Sequence, residues 1–260
     1  MPKIVLDIKK SLDQNASFYF EKAKKAKQKL QGAKEALERT RKKLEQLEKA
    51  REKEEKTESE QEKKKARKKE WYEKFRWFLS SDGFLCIGGR DATTNEIIIK
   101  KHTDASDLVL HTDMAGSPFF VIKSEGKEIP QSTVEEAAQA TAAYSRAWRL
   151  GLSTLEVFYV KPEQVSKTTQ SGEYMARGAF MIRGKTNYLR PKLEAAVGMT
   201  KDAMIMGGPP AAVKNNCEKY VLVAQGNNKA SDAAKLVRKK IGGGLDDIIA
   251  ALPSGGIQVK

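Results

Sequence analysis

Phe75-Arg-Trp-Phe-Leu-Ser-Ser-Asp-Gly-Phe-Leu-Cys-Ile-Gly-Gly89 sets two apolar runs on either side of Asp82-Gly83. An Asp-Gly pair tolerates the positive φ of a type I′ turn, so the stretch predicts a β-hairpin opening a globular fold. Beyond it, Asp91 is expected to cap a short helix carrying Asn95 to Lys101. Asp107 to Asp113 and Ser117 to Lys123 read as strands joined through Ala115-Gly116. After Pro130, Ser132 and Thr133 with Glu135 and Glu136 predict a helix to about Leu150, ended by Gly151. Leu155 to Lys161, Ala179 to Arg183 and Tyr220 to Ala224 read as further strands, followed by helices near Ser231 to Ile241 and Asp246 to Leu252. Strands arrive in runs with helices between some of them, so the class is α+β with a mixed α/β body.

The composition changes on the N-terminal side of that hairpin. Residues 1–78 hold 25 Lys+Arg and 15 Asp+Glu, with no proline after Pro2 and a single glycine, Gly32. The remainder holds 23 and 19, with the other seven prolines and eighteen glycines. The step predicts a helical arm over 1–75, then a body long enough for its own core, divided into 76–200 and a C-terminal extension over 201–260 packed on it. The formal net charge of the 260 residues is +14 with 40% hydrophobic residues, too apolar for a wholly disordered chain. Apolar runs are far shorter than the ~20 residues that span a bilayer, and Met1-Pro2-Lys3-Ile4 begins no signal peptide. Cys86 and Cys217 lie far apart in apolar runs, so they read as reduced core residues of a cytoplasmic protein without a membrane partner.

The arm carries the most regular pattern in the chain. Leu12, Ala16, Tyr19, Ala23, Ala26, Leu30, Ala33, Leu37, Thr40, Leu44 and Leu47 step by four and three without a break, the signature of a coiled-coil seam. From Glu48 to Glu70 almost everything is charged, and Lys63, Lys64, Lys65, Arg67, Lys68 and Lys69 form a basic block. Thr57-Glu58-Ser59 is the expected reversal point of an antiparallel hairpin. Its return arm would run from about 60 to 78, with Trp71, Phe75 and Phe78 resuming the seam. The two arms are unequal, which leaves the first heptads to a homodimer, the body's surface or another polypeptide.

The body offers little for catalysis. It has no phosphate-binding Gly-x-x-x-x-Gly-Lys-Ser/Thr loop and no nucleophile elbow. His102 and His111 are the only histidines, and His111-Thr112-Asp113 lacks the further ligands of a catalytic zinc. The chain therefore reads as neither an enzyme nor a metal or cofactor protein, and a hydrolase or transferase centred on His111 and Asp113 is the weakest alternative. As a strand-end residue, His111 reads either as the holder of a structural hydrogen bond or as a ligand contact. Binding is better supported. Arg90, Lys123, Lys161, Lys167, Arg177, Arg183, Lys185 and Arg190 sit at strand ends or in glycine-rich loops, positions that present charge to phosphates. Trp148, Tyr174 and Tyr188 are candidate stacking surfaces beside them. A basic block such as 63–69 reads either as a solvated helix face or as a phosphate contact whose affinity comes from counterion release.

Several longer motifs then resemble a known family. Trp77 to Ala92 with Asn95-Glu96 is similar to the opening of the NFACT-R domain. Asp107 to Lys123, Glu135-Glu-Ala-Ala, Ala143-Tyr-Ser-Arg-Ala-Trp148, Val160 to Lys167 and Gly178 to Lys185 follow in the same order. Gly207-Gly-Pro-Pro210 and Asp246 to Gly255 resemble the family's archaeal C-terminal extension, and Asp13 to Lys25 the head of its coiled-coil region. The NFACT family includes RqcH, NEMF and the fibronectin-binding-protein-A-like proteins. The resemblance implies a ribosome quality control module that binds the large ribosomal subunit, tRNA and rRNA on stalled peptidyl-tRNA complexes, supporting C-terminal tailing by the full-length protein. Ribosomal proteins are further expected partners for the coiled coil. The family's N-terminal domain and helix–hairpin–helix module have no counterpart in these residues, so a C-terminal part of a longer protein or a short relative is expected. RNA binding is carried onto Arg90, His111, Lys123, Lys167, Arg177, Arg183 and Lys185, with the basic block of the arm. The alternative is a coiled-coil interaction or self-association scaffold with no RNA role.

Overall fold

The computed structural model describes residues 4–64, 69–167 and 178–260, with side chains from residue 4 to 44 and from 69 onward in those segments. The chain forms two compact units, 1–66 and 67–260. In the first, α1 runs as one helix over Leu12–Lys64, about 80 Å at 1.5 Å per residue. The expected reversal at Thr57-Glu58-Ser59 is absent, because the helix continues through it. Thr and Ser cost a helix only tenths of a kcal/mol each, and the Glu and Lys around them are strong helix formers. Leu12, Leu30, Leu37 and Leu44 are exposed along α1. The side chain of Leu47 lies outside the described residues. Tyr19 is half-buried, with its hydroxyl donating to the Val5 carbonyl at 2.6 Å.

Trp71, Phe75 and Phe78 are not a returning seam either. Trp71–Lys74 is a 3-10 turn and Arg76–Leu79 is strand β1. Phe75 and Phe78 are fully buried in the core of the second unit. Spacings of four and three imitate a heptad over so few residues, while Phe-Arg-Trp-Phe has the aromatic content of a strand.

β1 pairs antiparallel with β2 (Leu85–Gly88), as Asp82-Gly83 predicted. The connection is a three-residue loop, in which the Ser80 N–H reaches the Phe84 carbonyl and only Gly83 has positive φ (+84°). That is a type I turn closed by a glycine, not the two-residue type I′ turn, which would need Asp82 at positive φ as well. The rest of the unit comprises α2 (Ala92–Lys101), β3 (Leu108–His111), β4 (Phe120–Ile122), α3 (Gln131–Ala143), α4 (Arg146–Arg149), β5 (Val157–Val160), β6 (Val165–Ser166), β7 (Met181–Ile182), β8 (Asn187–Leu189), β9 (Ala195–Thr200), β10 (Ile205–Gly208), α5 (Pro210–Asn216), β11 (Cys217–Asn228), α6 (Ala230–Ile241), α7 (Leu245–Ala251) and β12 (Ile257–Val259). An antiparallel sheet in the order β1-β2-β4-β3-β5-β8 carries α3 on one face, and a second in the order β10-β9-β11-β12 carries α5 and α6. β9 ends at Thr200 and pairs antiparallel with β10. β1 packs against β10, so the two sheets share one core with Phe78, Phe120, Trp148 and Met206 in it.

The expected helix from 131 to 150 is two helices. Ser145 leaves helical geometry (ψ 174°) and its side chain accepts from the Ala147 N–H, starting α4 afresh. The capping box expected at Ser132 and Thr133 is replaced by tertiary bonds. Their hydroxyls donate to Asp82 at 2.6 and 2.8 Å, and Glu136 accepts from Ser81. The hydroxyls hold Asp82 below the usual carboxylate range. The first hairpin is thereby bolted to the start of α3.

Candidate nucleic-acid interface

Asp91 starts α2, its carboxylate accepting from the Thr94 N–H at 2.8 Å. One turn in, the buried Asn95 side chain accepts from the Phe119 N–H at 3.0 Å and donates to the Ser117 carbonyl at 3.4 Å. A Cβ on Gly89 would stand 1.8 Å from that Asn95 oxygen. The spacing Gly89-Arg-Asp-x-x-x-Asn95 is therefore what lets one amide tie β2, α2 and the β3–β4 loop together.

That loop is set by two hydroxyls. Thr112 and Ser117 meet at 2.5 Å, and Ser117 donates to the Met114 carbonyl at 2.8 Å. His111 ends β3 and its Nε2–H donates to the Ser117 carbonyl at 3.2 Å. Its ring stacks on Phe119 with centroids 3.9 Å apart, Phe158 lies at 5.9 Å, and Phe180 stands edge-on to Phe119 at 5.3 Å. Burial pushes the imidazole down to about 4, against the opposing pull of its backbone bonds to Ser117 and Thr112 and of Asp113. At neutral pH His111 is an uncharged aromatic surface. It has the structural bond and also faces a cavity.

These groups form one wall of a cleft of about 910 Å³, closed by the start of α2, the β3–β4 loop, α4, the segment around Phe180 and Ser254-Gly255. α4 is seated by Trp148, which is buried and donates through Nε1 to the Gly256 carbonyl at 3.1 Å. Trp148 is thus a core residue and not a stacking surface. On either side of it Arg146 and Arg149 are exposed and line the cleft. Arg76 also reaches it, with its guanidinium 4.3 Å from the Tyr144 ring and donating to the Leu252 carbonyl and Ser254; burial lowers it to about 10.

The basic residues selected from the sequence do not converge. Among those described, Arg90 and His111 line the cleft. Arg90 donates to the carbonyls of Lys74, Ala250 and Phe75 at 2.9–3.1 Å, bracketing the 3-10 turn to α7. Lys123 reaches Asp107 at 2.5 Å, Asp104 at 2.6 Å and the His102 carbonyl at 3.1 Å, and is 11% exposed. Burial lowers its pKa, and the bonds to Asp104 and Asp107 outweigh that and raise it. Lys167 pairs with Glu96 at 2.8 Å, and hydrogen bonds from Lys100 and Lys167 hold Glu96 at about 2. Lys69 pairs with Asp247 at 2.7 Å, and Arg190 reaches Glu156 at 3.6 Å. Arg183 and Lys185 are exposed beside β7, in a turn held by Gln164 donating to both carbonyls. Tyr188 is exposed and packs edge-on to Phe158. Lys63 and Lys64 stand in the last turn of α1 with side chains outside the described residues. Lys65, Arg67, Lys68, Tyr174 and Arg177 lie outside the described residues altogether.

Sequence reasoning missed Arg146, Arg149, Phe119 and Phe180. The signal for the arginines was present in Ser145-Arg-Ala-Trp-Arg149, a capping serine followed by two cations three residues apart. It was hidden by taking the segment as the tail of a longer helix.

Comparison with known proteins places this unit. Residues 74–184 match the NFACT protein RNA binding domain. The archaeal Rqc2 homolog aRqcH of Methanocaldococcus jannaschii is 46% identical over 203 residues, which cover 75% of this chain and 30% of that one. Ribosome quality control complex subunit NEMF of Homo sapiens is 47% identical over 128 residues, covering 49% and 12%. A solved structure, the C-terminal part of the fibronectin/fibrinogen-binding protein from Streptococcus suis, overlaps 45% of each chain at 19% identity with a TM-score of 0.39. The chain spans under a third of the length of these quality control relatives. Among the described residues no helix is long and apolar enough to cross a membrane. Residues 74–184 therefore carry an NFACT RNA-binding domain, in a chain homologous to the archaeal Rqc2 homolog aRqcH and to NEMF.

Proposed function

We propose that this chain is a cytoplasmic RNA-binding module of ribosome quality control. It holds the large ribosomal subunit and contacts tRNA and rRNA on stalled peptidyl-tRNA complexes, in support of tailing by a complete family protein. The observation that carries this reading is the match of residues 74–184 to an RNA-binding domain within a stretch 46% identical to an archaeal Rqc2 homolog. A formal charge of +14 supports it, because each phosphate neutralised by Lys or Arg releases counterions. The reading divides the chain into an arm over 1–75, a core over 76–200 and an extension over 201–260. It assigns phosphate contact to the basic block at 63–69 and to Arg177, Arg183 and Lys185.

Cosedimentation of the chain with isolated large subunits, at rising salt, tests it. Binding that weakens steeply with salt is expected, as is loss on Lys63→Glu/Lys65→Glu/Lys68→Glu and on Arg183→Ala/Lys185→Ala. No cosedimentation in dilute buffer overturns the reading.

The exposed Leu30, Leu37 and Leu44 favour a second role for the arm, as a coiled-coil contact with another chain. Analytical ultracentrifugation tests it: Leu30→Asp/Leu37→Asp/Leu44→Asp should abolish association and leave RNA binding by the globular unit intact.

A further inference from the structure

We propose that the cleft beside α4 takes one unstacked nucleotide of single-stranded RNA, its base against Phe180 and His111 and its phosphate on Arg146 and Arg149. This deepens the RNA-binding reading above and rests on it. Arg146 and Arg149 are spaced i, i+3, so they share one face of α4. Among the described residues neither guanidinium has a hydrogen bond or ion pair, in contrast to Arg76 and Arg90 in the same cleft. Two like charges kept together on a buried anchor, Trp148, are a site prepared for an anion. A Cβ on Gly116 would stand 3.9 Å from the Arg146 Cβ, so the β3–β4 loop closes directly on that arginine.

The aromatic part of the lining sets what the anion is attached to. His111 and Phe180 are its partly exposed rings, backed by the buried Phe119 and Phe158. Because burial keeps His111 uncharged, this wall offers a π surface and no phosphate contact. The cleft's 910 Å³ falls in the range of roughly 300–1,000 Å³ typical of pockets for molecules of nucleotide size. A duplex hides the faces of its bases inside the stack, so only an unpaired nucleotide reaches a ring in a recess. Asp113, exposed at the cleft's edge, disfavours a second phosphate there and leaves an acceptor for a base amino group.

Fluorescence anisotropy of the full chain with labelled ten-nucleotide U and A strands, and with a blunt duplex of the same length, tests the assignment. Arg146→Ala/Arg149→Ala and Phe180→Leu are each expected to weaken single-strand binding roughly tenfold, while duplex binding and melting temperature stay near those of the parent. Photocrosslinking of a 4-thiouridine strand is expected within 111–119 or 178–183. If the chain binds RNA and both variants hold single strands as the parent does, the cleft assignment fails and the RNA-binding reading stands. Equal loss for strand and duplex also overturns it, as does competition by a polyglutamate peptide as effective as the oligonucleotide. If the parent binds neither form, the RNA-binding reading itself fails.

Discussion

On the wall of the cleft built from β2 and α2, Arg90 donates to three main-chain carbonyls. In the same cleft, on α4, Arg146 and Arg149 have no partner among the described residues. The same residue type therefore works as mortar on one side and as an open hand on the other. The difference is set by what lies within 3 Å, which residue type and loop position do not reveal. Lys123 and Lys167 side with Arg90, because carboxylates of the fold neutralise both. The lesson is that charge available to a polyanion is charge the fold has left unanswered.

The largest effect is expected at Lys123. Its partner Asp107 has no exposed side-chain surface, so Lys123→Ala leaves a buried carboxylate without its cation. A loss of about 3–5 kcal/mol in chemical denaturation is expected. RNA affinity of whatever remains folded should not change.

His111 supplies the next effect, read through pH. Its folded pKa of about 4 lies below the ordinary 6.5, so between those values the unfolded chain binds a proton that the folded chain refuses. Stability is expected to fall as pH drops through that window, by on the order of 2–3 kcal/mol from this residue, and the loss is complete below about 4. Comparing denaturation at pH 7 and 4.5 for the parent and His111→Phe isolates it. The variant should lack that share of the acid loss.

Arg90→Lys follows. A single ammonium cannot span three carbonyls, so about 2 kcal/mol of stability should be lost, visible as a lower melting temperature. Smallest of all, Arg146→Ala/Arg149→Ala should move stability by no more than about 0.5 kcal/mol, since among the described residues nothing answers those charges. A larger drop would put α4 among the structural arginines and erase the distinction.

Legibility in the sequence followed the range of the interaction. The hairpin around Asp82-Gly83 and the cap at Asp91 were readable because the decisive contacts lie within a few residues. β9 and β10 were not, since Ala195-Ala-Val-Gly-Met-Thr and Ile205-Met-Gly-Gly set only Val197, Thr200 and Ile205 as β-branched residues among Ala, Met and Gly, and the glycines suggest a loop. Gly207 is small for a tertiary reason: a Cβ there would stand 2.4 Å from the Ala251 carbonyl oxygen. The hairpin of the arm was over-read, because a charge-rich gap between two apolar stretches resembles a turn although it holds no helix breaker. The motifs of the RNA-binding domain were plain as a pattern. The actual cleft was not, because its walls come from residues 76 to 255 and its useful arginines are defined by having no partner among the described residues.

The most direct measurement is the salt dependence of single-strand binding for the parent, Arg146→Ala/Arg149→Ala and Arg90→Lys, below all three melting temperatures. For single strands each neutralised phosphate contributes about 0.7 to the slope of log K against log salt. With one phosphate held between the two arginines, the slope should be shallower by about 0.7 for the α4 double variant and unchanged for Arg90→Lys. Coincident slopes for the parent and the double variant, or a flattened one for Arg90→Lys alone, would contradict it.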